Sequence, residues 1–454
     1  MRDNIKDILN LVKLNKFKEA QIKCEGIYIR FSKNVKFLHL YGFIFFNLKN
    51  YDQAINFWTK AVTIDPKFVD GLNNLGNAFS KINRFDEAVK YLNRALKIKP
   101  DFFESYFTLS EIFYKQNKFQ DSLLNLNQAL KLKPKHLQTI KNKVQLLAQM
   151  NKKSELLNFL NEVIPYHPQN TELYSEKAKV LLSMGMKTQS INTYKTIYML
   201  DPDFPDVLGS LVSDKLSNCE WDGIEKDFVD IKKKINEEKD VVDPFTVSLL
   251  FDSADLQNKS AKIWIKQYPI LEEFKRPSNL NNKKKINLGY FSADFRNHPV
   301  GHLISKILET HDKSKFDLYG FYFSDKKEES DKYYLRIKKA FKKFYHVSDM
   351  SDSEIITLSK NLNIDIAVDL MAHTGSFEDI SRFGVFHNKC APIQINFLGY
   401  PGTSASKNVD YIIADQTVIP EKNKKFFSEK IIFLPHSYQP SERTRNLTEK
   451  KITK

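Results

Sequence analysis

Five prolines, Pro66, Pro100, Pro134, Pro168 and Pro202, recur at intervals of 34 residues, and no other property of the chain narrows its fold as much. Each closes a short segment such as VTIDP, LKIKP or LKLKP. In register with them stand Leu38, Tyr41, Gly42, Phe45, Ala54, Trp58 and Ala61, and in the next unit Leu72, Leu75, Gly76, Phe79, Ala88, Leu92 and Ala95. Apolar residues at i, i+3, i+4 and i+7 predict two amphipathic helices per unit. Small Gly42, Gly76, Ala54 and Ala88 let the paired backbones approach, and proline ends the second helix because it cannot continue one. A single helix pair cannot bury its apolar face, so such units stack into a superhelix with a concave groove.

Large, small and aromatic residues at these offsets resemble the tetratricopeptide pattern. About six units fit into residues 1–204. The first has Ser32 in place of the closing proline, and a later one has Lys143 and Val144 where the Leu-Gly pair belongs. The α-solenoid so predicted is either a scaffold or a peptide-binding groove. In the second case exposed polar residues of the first helices, such as Asn74, Asn77 and Asn142, contribute to holding a protein or peptide.

Charge and cysteine usage bound the remaining possibilities. The formal charge is +15 over 454 residues, but the lysines are spread through nearly every segment and mixed with Asp and Glu. That distribution describes a solvated surface and gives no patch for nucleic acid. With 42% hydrophobic residues the chain buries a sizeable core. Cys24, Cys219 and Cys390 lie far apart, which signals neither a disulfide framework nor a metal site. The N-terminal MRDNIKDILNLVKLNK carries charges within its apolar run, unlike a secretory leader. No apolar run approaches the roughly 20 residues of a membrane span. A cytoplasmic protein without nucleic-acid or membrane partners is expected.

After residue 204 the rhythm changes. Residues 205–285 read as a helical transition region that loses the 34-residue register and ends in a polar linker, RPSNLNNKKK (276–285). Short β-branched and aromatic runs follow: KINLGYFSAD, KFDLYGFYFSD, NIDIAVDLMAHT, PIQINFLGYPGT, VDYIIADQ and EKIIFLP. Helical stretches around Leu303–His311 and Asp352–Asn361 separate several of them. Strands alternating with helices predict one α/β doubly wound lobe over 286–440, with a polar basic tail at 441–454. In such sheets ligands bind beyond the carboxyl ends of the strands.

Three polar segments stand at those ends: SADFRNHPVGH (292–302), DLMAHTG (369–375) and LGYPGTSA (398–405). In one sheet they converge on one rim. Pro299 and Pro401 fix φ, while Gly301, Gly399 and Gly402 allow close backbone approach to a ligand. Taken singly, His298, Asp294 and Asp369 are as well explained as helix or loop caps.

The run SADFRNHPVGHL, then DLMAHTG, APIQINFLGYPGTSA, VDYIIADQ and SEKIIFLPHSYQP resembles the O-linked N-acetylglucosaminyltransferase family, bacterial members above all. A related plant-type branch transfers fucose. The resemblance implies an N-terminal lobe of GT-B type in an inverting, metal-independent glycosyltransferase. That enzyme moves N-acetylglucosamine from UDP-GlcNAc to Ser or Thr of proteins brought in by the repeats, and needs no cofactor beyond its nucleotide-sugar donor. It implies a catalytic or acceptor-orienting role for His298. It also implies donor or acceptor contacts from Asp294, Asn297, His302, His373, Thr374, Gly399, Tyr400, Pro401, Gly402 and Thr403. Asp365 stands where animal relatives have histidine, so that role does not carry over, and Ala372 stands where glycine is frequent. The matching motifs run to LPHSYQP (434–440), about where the family's second lobe begins, and 286–454 has room for one lobe. The expectation is a form truncated before the second lobe, inactive or incomplete by itself, with that lobe encoded downstream or supplied by a second chain. The competing expectation is a non-catalytic tetratricopeptide adaptor.

Overall fold

Helix pairs open the chain as the proline spacing requires. The computed structural model describes residues 2–270, 284–324, 330–374 and 382–442. Most of the linker expected at 276–285, Gly375 of the second polar segment and nearly all of the basic tail lie outside them. Two compact units divide at residues 185 and 186.

The first unit consists of α1 (Arg2–Lys13), α2 (Phe17–Phe31), α3 (Val35–Asn47), α4 (Tyr51–Ile64), α5 (Val69–Lys81) and α6 (Phe85–Ile98). It continues with α7 (Phe103–Lys115), α8 (Phe119–Leu132), α9 (Leu137–Gln149), α10 (Lys153–Val163) and α11 (Thr171–Ser183). Pro66, Pro100 and Pro134 stand two residues beyond α4, α6 and α8, where the helix has already stopped. Beyond α10 a 3-10 turn, Ile164–Tyr166, precedes Pro168. A Cβ on Gly42 would sit 2.5 Å from the Trp58 indole nitrogen, so only glycine lets α3 and α4 close over that ring. The indole N–H in turn donates to the His39 carbonyl at 3.0 Å.

A second 34-residue rhythm appears in the turns between paired helices. Asn15, Lys49, Asn83, Asn117, Asn151 and Gly185 all adopt positive φ. Asn and Gly tolerate this left-handed geometry and other residues resist it, which leaves Lys49 as the exception.

The second unit opens with helices: α12 (Lys187–Leu200), α13 (Val207–Ser217), α14 (Ile224–Asn236), α15 (Pro244–Leu250) and α16 (Ala254–Trp264). They are followed by β1 (Ile286–Ser292), α17 (Pro299–Thr310), β2 (Phe316–Tyr322), α18 (Lys332–Ala340), β3 (Lys343–His346), α19 (Asp352–Asn361), β4 (Ile366–Asp369), α20 (Phe383–His387), β5 (Ile393–Phe397), β6 (Tyr411–Ala414) and β7 (Lys430–Phe433). All six expected strands are present, and β3 is an additional short edge strand. The sheet order is β3-β2-β1-β4-β5-β6-β7, and each neighbouring pair is parallel. Along β1 the side chains alternate between faces. Leu288 and Tyr290 pack with Ile304, Leu308, Tyr334 and Ile337 of α17 and α18. Phe291 packs on the other face with Ile355, Ile356 and Phe386 of α19 and α20. Helices therefore cover both faces, as a parallel sheet requires.

Helices α15 and α16 belong to this unit by contact as well as by sequence. Asn258 of α16 donates to the Phe426 carbonyl, and Asn388 donates to the Pro269 carbonyl at 2.9 Å. No helix among the described residues is long and apolar enough to cross a membrane.

Candidate functional site

Strand order fixes where a site can form. The chain runs β1 to β3 toward one edge, then returns to place β4 on the other side of β1. The loops after β1 and β4 therefore diverge at the topological switch point, the place where open parallel sheets leave a crevice.

After β1 the chain turns tightly: Ser292 Oγ accepts from the Asp294 amide at 2.9 Å, and the Ala293 amide donates to Met371 Sδ at 3.0 Å. His298 is the N-cap of α17, its Nδ1 accepting from the Val300 amide at 3.3 Å, with Pro299 at the first helical position. The same Nδ1 lies 3.5 Å from Asp294 Oδ1, and Arg296 reaches that oxygen at 3.8 Å.

After β4, Asp369 accepts from the amides of Met371 and Ala372 at 2.9 and 3.0 Å, so it caps the turn. Burial pushes its carboxyl up to about 6. Ala372 has φ +48°, which accounts for a glycine preference there. Thr374 Oγ1 donates to the Met371 carbonyl at 2.7 Å. His373 is buried against the Phe383 and Tyr400 rings, and its Nε2 meets the Ser404 carbonyl at 2.9 Å. Burial lowers its pKa to about 4, leaving it neutral.

After β5, Leu398 holds φ +80°, a strained value for a branched side chain. A Cβ on Gly399 would collide with the Leu370 carbonyl oxygen, so the β4 and β5 loops can meet only through glycine. Asn396 donates to the carbonyls of Tyr400 and Gly402 at 3.1 and 3.2 Å, shaping the turn.

The three loops enclose a cavity of about 370 Å³ lined by Asp294, His298, Thr374 and Gly399, with Phe245 and Tyr438. Four of the eleven expected site residues thus reach it. Asn297 and His302 do not line it; they pair with each other at 2.7 Å, and the His302 ring rests on Tyr333. His373, Tyr400, Gly402 and Thr403 lie buried behind the wall, and Pro401 is half-buried beside them. Asp365 accepts from the Asn287 amide at the opposite, amino end of the sheet, so the departure expected at this position leaves the cavity untouched.

Residues 253–453 match the model of glycosyl transferase family 41, and residues 42–83, 69–102 and 103–136 match tetratricopeptide repeat models. The region of similarity to family 41 takes in the whole parallel sheet. A probable UDP-N-acetylglucosamine–peptide N-acetylglucosaminyltransferase, SEC, of Arabidopsis thaliana is 30% identical over 173 residues, which cover 37% of this chain and 17% of that protein. The UDP-N-acetylglucosamine–peptide N-acetylglucosaminyltransferase of Caenorhabditis elegans is 28% identical over 179 residues, covering 39% and 15%. The chain therefore spans less than a fifth of the length of these relatives in the matched region. A mutant O-GlcNAc transferase of Thermobaculum terrenum aligns at 18% identity and TM-score 0.44, over 82% of this chain and 58% of that one.

Several cavity residues lie outside the three polar segments. Phe245 sits on α15, whose helical pattern gives no hint of a ligand. Tyr438 and Gln439 fall in LPHSYQP, whose place became evident only from its anchors. Asp415 Oδ2 accepts the Tyr438 amide at 2.9 Å, and Arg336 grips Glu442 through two 2.9 Å bonds.

Proposed function

We propose that the chain acts in protein O-glycosylation, moving N-acetylglucosamine from UDP-GlcNAc to Ser or Thr hydroxyls. In this reading the repeats over 1–204 recruit the protein and the lobe over 286–440 receives its hydroxyl. The observation that carries the reading is the convergence of the loops after β1, β4 and β5 on one cavity at the switch point, with His298 at its edge. The family 41 similarity over 253–453 and the names of the relatives supply the sugar and the acceptor class.

His298 is suited to orienting an acceptor. To accept from the Val300 amide, Nδ1 must keep its lone pair, so the neutral ring carries its proton on Nε2. That edge donates a hydrogen bond to an acceptor or sugar oxygen in the cavity and holds the hydroxyl for attack on the anomeric carbon. The bond to the departing diphosphate breaks as the new C–O bond forms, and the hydroxyl proton passes to an oxygen of the departing UDP or to water. A base role at Nε2 needs the proton on Nδ1 instead, with Asp294 as its partner. Correct orientation of this kind is worth orders of magnitude in rate. The test is transfer of labelled N-acetylglucosamine to protein, comparing the parent with His298→Asn. Loss of roughly 10²-fold or more at unchanged melting temperature supports the role, and unaltered turnover refutes it.

A second reading, a non-catalytic adaptor, draws on the first unit. There a cavity of about 310 Å³ is lined by Lys81, Glu111, Tyr114, Asn142 and Gln145 from three successive first helices. Peptide binding without any affinity for a UDP-sugar favours that reading.

A further inference from the structure

Glu429 precedes β7 and is buried, yet none of the chemistry assigned so far uses it. A buried carboxylate is costly unless its lone pairs are filled. Here Oε1 accepts the Ser404 amide at 2.6 Å, and Oε2 accepts Thr403 Oγ1 at 2.7 Å and Ser428 Oγ at 3.1 Å. Thr403 Oγ1 in turn accepts the Ala405 and Ser428 amides, each at 3.2 Å. The carboxylate therefore fixes both residues of the Thr403-Ser404 turn, and the Ser404 carbonyl leaves that turn aimed at His373 Nε2, 2.9 Å away.

A carbonyl can only accept, so it forces the His373 proton onto Nε2. The other ring nitrogen, Nδ1, then becomes an acceptor; it is buried and has no hydrogen-bond partner among the described residues. Phe383 and Tyr400 pack on the ring, and His387 and Lys407 are the nearby groups that disfavour charge on the imidazole pair. The next residue, Thr374, lines the cavity.

The geometry points to Glu429 as a positioning residue of the transfer site: through Thr403 and Ser404 it locks His373 into one neutral tautomer and presents Nδ1 as a fixed acceptor behind the cavity wall. The assignment rests on the proposed transfer function for its purpose, though the relay itself does not depend on that function. Glu429→Gln keeps the volume but offers one acceptor oxygen in place of two, so either the Ser404 amide or the Thr403 hydroxyl loses its partner.

Nitrogen-15 NMR of the imidazoles, with His373→Gln used to assign the signal, reads the tautomer without any turnover. The parent is expected to show His373 wholly as the Nε2–H form, with no titration down to about pH 5. Glu429→Gln should show a mixture of tautomers and still no titration in that range, because the Ser404 carbonyl is what favours the charged ring, while the remaining histidines stay as they were. Thr403→Val, which removes one hydrogen bond and leaves the carboxylate, should give a smaller change of the same kind. An unchanged His373 signal in both folded variants overturns the relay. A parent already mixed in tautomer overturns it as well. Failure of labelled-sugar transfer with an intact His373 signature would count against the transfer reading alone.

Discussion

His298 does two things that substitution can separate. As the cap of α17 it satisfies an amide that would otherwise lose its partner, and as a ring at the cavity it offers a donor. Asparagine is a good helix cap and alanine is not. His298→Asn should therefore match the parent in thermal unfolding, while His298→Ala should lose about 1 kcal/mol, and both should lose transfer. Ala372 provides a second case. Its left-handed backbone costs an L-residue about 1 kcal/mol, so Ala372→Gly should raise stability by that order in denaturant unfolding. A third concerns Asp206, buried beside Asp243, whose carboxyl is pushed up to about 8 by burial and then by its neighbour's charge. Because the folded value lies above the unfolded one, its stabilisation is complete below about pH 4 and is lost as pH rises through about 8. Asp206→Asn should flatten the fall in melting temperature that the parent shows across that window. At this scale the sequence was a partial guide. Asp294, His298, Thr374 and Gly399 were legible because each follows a strand end. Asn297 and His302 share that segment but face outward, and a linear run does not reveal which side of a turn a residue occupies. Glu429 was invisible, since its importance arises from a contact with a turn 25 residues earlier.

Among elements, the helix pairs were the most legible, because proline, glycine and alanine at fixed offsets report backbone stops and close approaches directly. The turns between the pairs carry a weaker signal, asparagine at four of six positions on the same 34-residue period. Lys49, the one residue there with a long side chain, should be improvable. Lys49→Asn is expected to stabilise the first unit by up to about 1 kcal/mol in chemical denaturation. Gly42→Ala should do the reverse, by roughly 1–3 kcal/mol, because its methyl group meets the Trp58 ring. Strands were found wherever they are buried and β-branched. The edge strand β3, KFYH, escaped because four residues between a basic helix and a polar turn carry too little pattern.

Across the whole molecule, the repeats and the parallel sheet were both foreseeable, since each has its own hydrophobic period. Less visible was that α15 and α16 join the sheet unit, for their contacts with Phe426 and with the cavity span more than 150 residues of sequence. The central claim is that the segments around 294–303, 371–374 and 398–403 form one ligand-binding wall. Hydrogen exchange of the chain with and without UDP-GlcNAc tests it most directly. The account predicts slowed exchange in all three segments together, with the repeats unaffected. Slowed exchange in none of them, combined with protection of α5, α7 and α9 by an acceptor peptide alone, would contradict it.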